Sequence, residues 1–446
     1  ARDWDDGGGR RRTAKGRRAS DTPSRVPLRS TRARDARART HARTHTTTTT
    51  MHTTTMTTAA AGRVGARAAY GNARAVRARA VGGAARCGRG RRDRSSAIIT
   101  RAGKTPDGPK LVIAGITGAV GQEFLRVLSE RDFPYSSVKM LASARSAGSE
   151  VTFEGETYVV EELTEDSFDG EDIALFSAGG SISKKYGPIA VERGCFVVDN
   201  SSAFRMTEGV PLVIPEVNPE AMAHMKVGGK AGIIANPNCS TIIALMAVTP
   251  IHRAVGVERM VVSTYQAASG AGALAMKELE QQTREVVNDG ECKTMEIFKW
   301  QYAFNLFSHN APMMENGYNE EEMKMVKETR KIWNFNDVNI TATCIRVPVM
   351  RAHAESINLT LKNPLDEVKA KELLSKAEGV SIIDDRANNR FPTPLDATDN
   401  DDVYVGRIRQ DISQPGNKGL DLFVCGDQIK KGAALNAVQC AELLLK

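Results

Sequence analysis

The stretch KLVIAGITGAVGQEFLRVLSERDF, residues 110 to 133, restricts the fold of this 446-residue chain more than any other. An apolar run meets Gly115, Gly118 and Gly121 and then continues with Phe124, Leu125 and Leu128 at helical spacing. Strand, glycine turn and helix in that order open an α/β sheet. Strand-like apolar runs recur at 138–144, 172–180, 195–202 and 231–237, with a helix-like SKKYGPIAVERG between two of them. None alternates apolar with polar, so both faces of these strands are covered, and the pattern predicts a parallel, doubly wound, Rossmann-like sheet.

The pattern changes after residue 239. TIIALMAVTPIHRA reads as a helix entering a second region with VERMVVSTYQAASGAG, a long helix over 272–288, and the strands NITATCIRVPV and HAESINLTLK. Ile357, Leu359 and Leu361 alternate with polar residues, which predicts an α+β domain on an antiparallel sheet with one wet face. The closing KGAALNAVQCAELLLK is apolar enough to dock back on the first domain.

A net charge of +8 conceals two unlike pieces. Residues 1–105 hold 26 Lys and Arg against 6 Asp and Glu, and the remainder holds 35 against 47. The basic piece is rich in Arg, Ala, Thr and Gly and nearly without apolar periodicity. It cannot bury enough surface to offset its ordering entropy, and a disordered leader is expected. Arg-rich, hydroxyl-rich, acid-poor composition without an apolar core is that of an organelle transit peptide, not a secretory signal. The first methionine is Met51, where translation is expected to start, and the mature chain is expected to begin near 102–110. No run of 18 apolar residues predicts a membrane helix. The seven cysteines, 87, 195, 239, 292, 344, 425 and 440, form no C-x-x-C pair and no metal-type spacing, so a reducing compartment and no metal site are expected.

The glycine turn would let backbone N–H groups approach a pyrophosphate at a helix N-terminus, where the dipole favours an anion. After the second strand, where an NAD site would carry an acid for the ribose hydroxyls, the chain reads ASARSAG. Ser143, Arg145 and Ser146 are suited instead to a 2′-phosphate, which favours NADP. In ANPNCST, Cys239 stands where a strand gives way to a helix, a position expected to lower its thiol pKa and make it a nucleophile. Its proton-transfer partner must come from His224, His252, His309 or His353 outside the leader. Arg346 and His353 would face opposite sides of an unbroken strand, and Pro348 can bring both toward one pocket. The residues alone do not rank His353 above His309.

Taken in order, GITGAVG, LASARSAG, ALFSAGGS, VVDNSSAFR, IPEVNP, PNCST, STYQAASGAG, EEMKMVKETRKI, RVPV with RAHAES, and VGRIRQD resemble the aspartate-β-semialdehyde dehydrogenases over nearly all of 108–446. The resemblance implies a glyceraldehyde-phosphate-dehydrogenase-like fold. It further implies NADPH-dependent reduction of β-aspartyl phosphate to aspartate semialdehyde, in the biosynthesis of lysine, threonine, methionine and isoleucine. By matched position, Cys239 is the nucleophile, His353 the acid/base, Gln266 the residue orienting the intermediate, and Asn238 the asparagine before the cysteine. Arg346 would clamp the substrate carboxylate, Glu321 its ammonium group, and Arg205 with Lys324 the phosphate. Cofactor contacts are implied for Gly115, Thr117, Gly118, Ala119, Val120 and Gly121, for Ser143, Arg145 and Ser146, for Ser177, Ala178 and Gly179, and for Ser269, Gly270 and Asn436.

The domain limits that follow are a leader at 1–105, an NADP-binding domain at 106–238 completed by 430–446, and a catalytic and dimerisation domain at 239–429. If 320–333 is a helix, Met325, Thr329, Ile332 and Trp333 form its buried stripe and Glu321 shares a flank with Lys324. Helix geometry does not choose between Glu321 and Glu322. The segment after NDG, 291–314, reads shorter than in many relatives, where it helps build a dimer interface. The nearest rival is N-acetyl-γ-glutamyl-phosphate reductase, which would have little use for Glu321. A nucleic-acid-binding role for the leader is opposed by its lack of interleaved aromatics and by the net acidity of the rest. Small-molecule substrates are therefore expected, with no nucleic acid and no membrane, in a homodimer or homotetramer. The plastid is the expected address, with mitochondrion and cytoplasm as alternatives.

Overall fold

A computed structural model describes residues 104–446. The expectations for the leader and for Met51 lie outside the described residues. The first region runs β1 (Lys110–Ala114), α1 (Ala119–Glu130), β2 (Ser137–Ala142), a hairpin of β3 (Glu150–Phe153) and β4 (Glu156–Val159), and β5 (Glu161–Glu162). It continues with β6 (Ile173–Phe176), α2 (Gly180–Glu192), β7 (Phe196–Asp199) and β8 (Ile233–Ala235). The sheet order β5-β2-β1-β6-β7-β8 is parallel throughout. Every residue of β6 and β7 is buried, as continuous apolar strands require. The order reverses between β1 and β6, which opens a crevice at the carboxyl ends of these two strands, the usual ligand site of such sheets.

The second region runs α3 (Cys239–Val255), β9 (Val257–Gln266), α4 (Ala273–Asp289), β10 (Phe307–Ser308), α5 (Glu320–Trp333), β11 (Asn339–Arg346) and β12 (Ala352–Leu361). Then come α6 (Glu367–Ser375), β13 (Val380–Ile382), α7 (Pro394–Ala397), β14 (Val403–Gln410) and β15 (Gly419–Asp427). Its sheet, β10-β11-β9-β12-β15-β14-β13, is mixed, not antiparallel as its alternating strands suggest. β11 lies parallel to β9, and β13 parallel to β14. A parallel pair needs a long crossover, and α4 with everything up to residue 338 supplies it between β9 and β11. Ile357, Leu359 and Leu361 are buried against α3, while Ser356 is exposed. The chain ends in α8 (Leu435–Leu443), entered through one wide turn, Lys430–Ala434. Leu435, Val438 and Ala441 of α8 pack with Phe124 and Leu128 of α1, completing the first core.

Candidate active site

Arg346, Gln266 and His353 come together because β11, β9 and β12 are neighbours. Arg346 is the register partner of Gln266, and Ala354, one past His353, pairs with Tyr265, one before Gln266. The chain leaves β11, passes over the end of β9 around Pro348, and re-enters as β12. That passage is tied down by Val347 N–H to Gln266 O (3.1 Å), Ala268 N–H to Val349 O (2.8 Å) and Ser269 N–H to Met350 O (3.0 Å). Three strand ends thus present three polar side chains to one spot.

The N-terminus of α3 brings the sulfur there. Asn238 caps the helix, its Oδ1 accepting from Ser240 N–H (3.1 Å) and Thr241 N–H (3.3 Å). Cys239 Sγ lies 3.4 Å from His353 Nε2. His353 Nδ1 accepts the Ala267 N–H at 3.0 Å, so the neutral ring carries its proton on Nε2, facing the sulfur. The sequence leads one to expect a lowered thiol pKa, and the structure contradicts this. Burial pushes Cys239 up to about 12 and Glu321 adds to the rise, against the opposing pull of Arg205, Arg346 and Lys324. Burial, with Arg346 beside it, holds His353 down to about 3. In the free protein the pair is thiol and neutral imidazole, because desolvation outweighs the helix terminus.

Helix α5 supplies the carboxylate. Glu321 is buried. Its Oε1 accepts from Asn238 Nδ2 (2.8 Å) and Gln266 Nε2 (3.0 Å), and its Oε2 from Lys324 Nζ (2.8 Å). Burial opposes its ionisation, but the Lys324 ammonium, with hydrogen bonds from Lys324 and Asn238, holds it well below the usual carboxylate range. Glu322 is spent elsewhere: with Asn319 it forms a capping box, and it also accepts the Cys344 N–H at 3.1 Å. The choice between the two glutamates is therefore made by the cap, and the spacing Asn319-x-x-Glu322 carried that signal in the sequence. Glu328, two turns along α5 from Glu321, was not singled out, yet it accepts from Arg205 Nη1 (3.1 Å) and from Asn238 N–H (2.6 Å). Its place on the flank of Glu321 and Lys324 was the available clue.

Cys239, Asn238, Gln266, Glu321, Lys324, Arg346 and Arg205 line one cavity of about 310 Å³, together with Val120, Ser177 and Gly270. His309, a candidate that the sequence leaves open, and Gln428, which it does not point to, line it too. A second cavity of about 450 Å³ is lined by Gly115, Thr117, Gly118, Ser143, Ser177 and Ala178, and also by Glu162, Ile182 and Tyr186. Ser177 belongs to both, so the cavities adjoin. Gly115 has φ +91°, and a Cβ there would run into the Ser177 carbonyl; one on Gly121 would run into the carbonyl of Gly115. At Gly115 and Gly121 the turn is closed to side chains, which lets its backbone approach a ligand.

Several expected cofactor contacts are not on these walls. Arg145 is exposed and Ser146 half-buried in the turn beyond Ser143, and Gly179, also exposed, precedes α2. Ala119 sits in the first turn of α1. Two more have polar groups engaged within the protein. Ser269 gives its hydroxyl to Arg351 O (2.7 Å), and Asn436, fully buried, gives its amide to Val213 O (2.9 Å) and Asn236 Oδ1 (2.6 Å). Asn436 Oδ1 is buried without a partner. Among the described residues no group of His, Cys, Asp and Glu could hold a metal ion, and no helix is long and apolar enough to cross a membrane.

Comparison with known proteins gives the family. The family model for the semialdehyde dehydrogenase NAD binding domain matches residues 110–225, and that for the semialdehyde dehydrogenase dimerisation domain matches 248–431. The aspartate-semialdehyde dehydrogenase of Synechocystis is 52% identical over 341 residues, covering 76% of this chain and 98% of the relative. The chain belongs to the aspartate-semialdehyde dehydrogenase family. The Bacillus subtilis member is 46% identical, covering 76% of this chain and 98% of its own. The solved Vibrio cholerae aspartate semialdehyde dehydrogenase II, complexed with ASA, is 45% identical with a TM-score of 0.72, covering 76% of this chain and 98% of that one. As a member of this family the chain carries its NAD binding and dimerisation domains, in the order in which the two sheets occur.

Proposed function

We propose that this chain reduces β-aspartyl phosphate to aspartate semialdehyde with NADPH, through a thioester on Cys239, in the pathway to lysine, threonine, methionine and isoleucine. The observation that carries the reading is the sulfur 3.4 Å from His353 Nε2, in a cavity that also holds Arg205, Lys324, Arg346 and an ionised Glu321. Two cations suit a phosphate, a planar guanidinium suits a carboxylate, and Glu321 suits an ammonium group. N-acylated substrates have no charge to offer Glu321, which disfavours the reductase of acetylglutamyl phosphate.

Cys239 Sγ attacks the acyl carbon, forming C–S as C–O breaks. Phosphate leaves along Arg205 and Lys324 and takes the thiol proton with it. Gln266, held by Glu321 and by Thr264 Oγ1 (3.1 Å), is fixed beside the new thioester. The residues fit a dinucleotide: the glycine turn admits no side chain at Gly115 or Gly121, and Gln428 Oε1 is buried without a partner on the reaction cavity. Gly115, Thr117, Gly118, Ser143, Ser177 and Ala178 would hold it, with Arg145 free to reach a 2′-phosphate. When bound, the reduced nicotinamide supplies the hydride. His353 Nε2–H then covers the oxygen that gains charge; as C–S breaks and the aldehyde departs it protonates the Cys239 thiolate and takes back from solvent the one proton that the reduction consumes, so that the ring ends neutral. Replacing Cys239 with Ser is expected to lower kcat by at least about 10³-fold with NADPH binding unchanged. Steady-state kinetics beside a fluorescence titration of NADPH measure both, and retained turnover would falsify the thioester route.

We further propose that the basic N-terminal piece is a plastid transit peptide. The relatives are covered over 98% of their length by 76% of this chain, which supports an added targeting segment. A fluorescent fusion of residues 51–110 tests this, and a diffuse cytoplasmic signal would refute it. The exposed Trp300, Phe304, Leu306 and Met313 lie within the matched dimerisation domain and support self-association.

A further inference from the structure

His309 lines the reaction cavity, and the chemistry above gives it no task. It follows β10, an edge strand antiparallel to β11 in which Phe307 pairs with Arg346 and Ser308 with Ile345. The His309 N–H continues the ladder to Cys344 O at 2.9 Å. That register places His309 on the face that carries Arg346, beside it and near Glu321. Its carbonyl accepts from Asn319 Nδ2 at 3.5 Å, so the backbone is held at both ends.

The ring is oriented as well. Nδ1 accepts the Ala311 N–H at 3.1 Å, so in the neutral form the proton sits on Nε2. Burial, then Arg346, lowers its pKa to about 4, and the ring is neutral at physiological pH. An imidazolium here would pair with Glu321 and compete with a substrate ammonium group; a neutral donor does not. Nε2 has no hydrogen-bond partner among the described residues. The neighbouring Asn310 accepts Arg346 Nε at 3.3 Å, and Arg346 Nη1 donates to Ala267 O at 3.0 Å, which leaves Nη2 without a partner among the described residues. Two oriented donors, one charged and one neutral, therefore share a wall.

We propose that His309 is a specificity-determining residue, whose Nε2–H donates to the α-carboxylate of the aspartyl substrate beside the Arg346 guanidinium. The inference rests on the function proposed above. It accounts for selection of an amino-acid aldehyde over a plain one by a contact additional to the arginine clamp. A site built to hydrogen-bond a group discriminates against analogues that lack it, because its own polar atoms are then left unpaired.

The test compares aspartate semialdehyde with 3-aminopropanal, which lacks the carboxylate, in the phosphate-dependent direction with the full-length protein. His309→Phe is expected to lower the discrimination ratio, kcat/KM for the first over the second, by about tenfold or more, and His309→Gln, which keeps a donor, to recover part of it. KM values for NADP and phosphate should stay within about twofold. A ratio unchanged in both variants, or an equal loss with both aldehydes, overturns the inference. Failure of the unmodified protein to turn over aspartate semialdehyde at all would instead overturn the proposed function, so the two failures are distinguishable.

Discussion

At the reaction end of the cleft the walls are charged side chains with named partners, while at the far end they are mostly glycine, small and uncharged side chains, with Glu162 the charged residue among those lining it. Glu321 alone accepts from Asn238, Gln266 and Lys324, and Arg205 is held by Glu328, Asn200 O and Asn236 O. The cofactor end offers Gly115, Gly118, Ala144 and Ala178, with hydroxyls from Thr117, Ser143, Ser177 and Tyr186. The first is organised by pairing buried charges, the second by excluding Cβ atoms. The two ends should therefore fail differently. Removing a charge should damage the first, and adding carbon should damage the second.

Glu321→Gln should have the largest effect. It keeps the shape but unpairs Lys324 and any substrate ammonium, and a fall in kcat/KM for aspartate semialdehyde of about 10²- to 10³-fold is expected, with NADPH affinity intact. A loss below tenfold would mean that pairing does not organise this end. Gly115→Ala should reverse the pattern. An alanine at positive φ facing the Ser177 carbonyl costs about 1–3 kcal/mol, read as a lower Tm, and should weaken NADPH binding about tenfold while Cys239 alkylation proceeds normally.

The charged end should also govern the response to acid. His353 titrates near 3 in the folded chain against 6.5 as its ordinary value, so the unfolded chain binds the extra proton first. The stability it contributes is complete above about pH 6.5 and is lost as pH falls toward 3, at about 1.4 kcal/mol per unit at most. Melting curves from pH 7 to 5 should show this slope, and His353→Gln should reduce it but not abolish it, because His309, lowered to about 4, contributes in the same sense. The smallest effect is expected at the rim. Arg145→Gln should reduce the preference for NADP over NAD by about tenfold or less, because the residue is exposed.

The same contrast explains what could be read beforehand. The glycine turn was legible because its constraint is local: a strand, three glycines and a helix are contiguous in the chain. Helix α5 was legible in extent for the same reason. Its ion pair of Glu321 with Lys324 is legible as spacing, but not its burial beside Cys239, which depends on α3. The union of Arg346 with His353 required strand order, since β9 stands between them and no single-strand periodicity contains that fact. The mixed sheet escaped for the same reason, as did the raised thiol pKa, because desolvation depends on what packs around the helix terminus rather than on the terminus itself.

The central claim is that the sulfur of Cys239 carries the acyl group. Incubating the enzyme with β-aspartyl phosphate in the absence of reduced nicotinamide, quenching in acid and mapping peptides by mass spectrometry tests it directly. The account predicts an aspartyl adduct on the peptide containing Cys239, released as aldehyde when NADPH is added before the quench. An unmodified Cys239 peptide during active turnover, or an adduct on another residue, would contradict it.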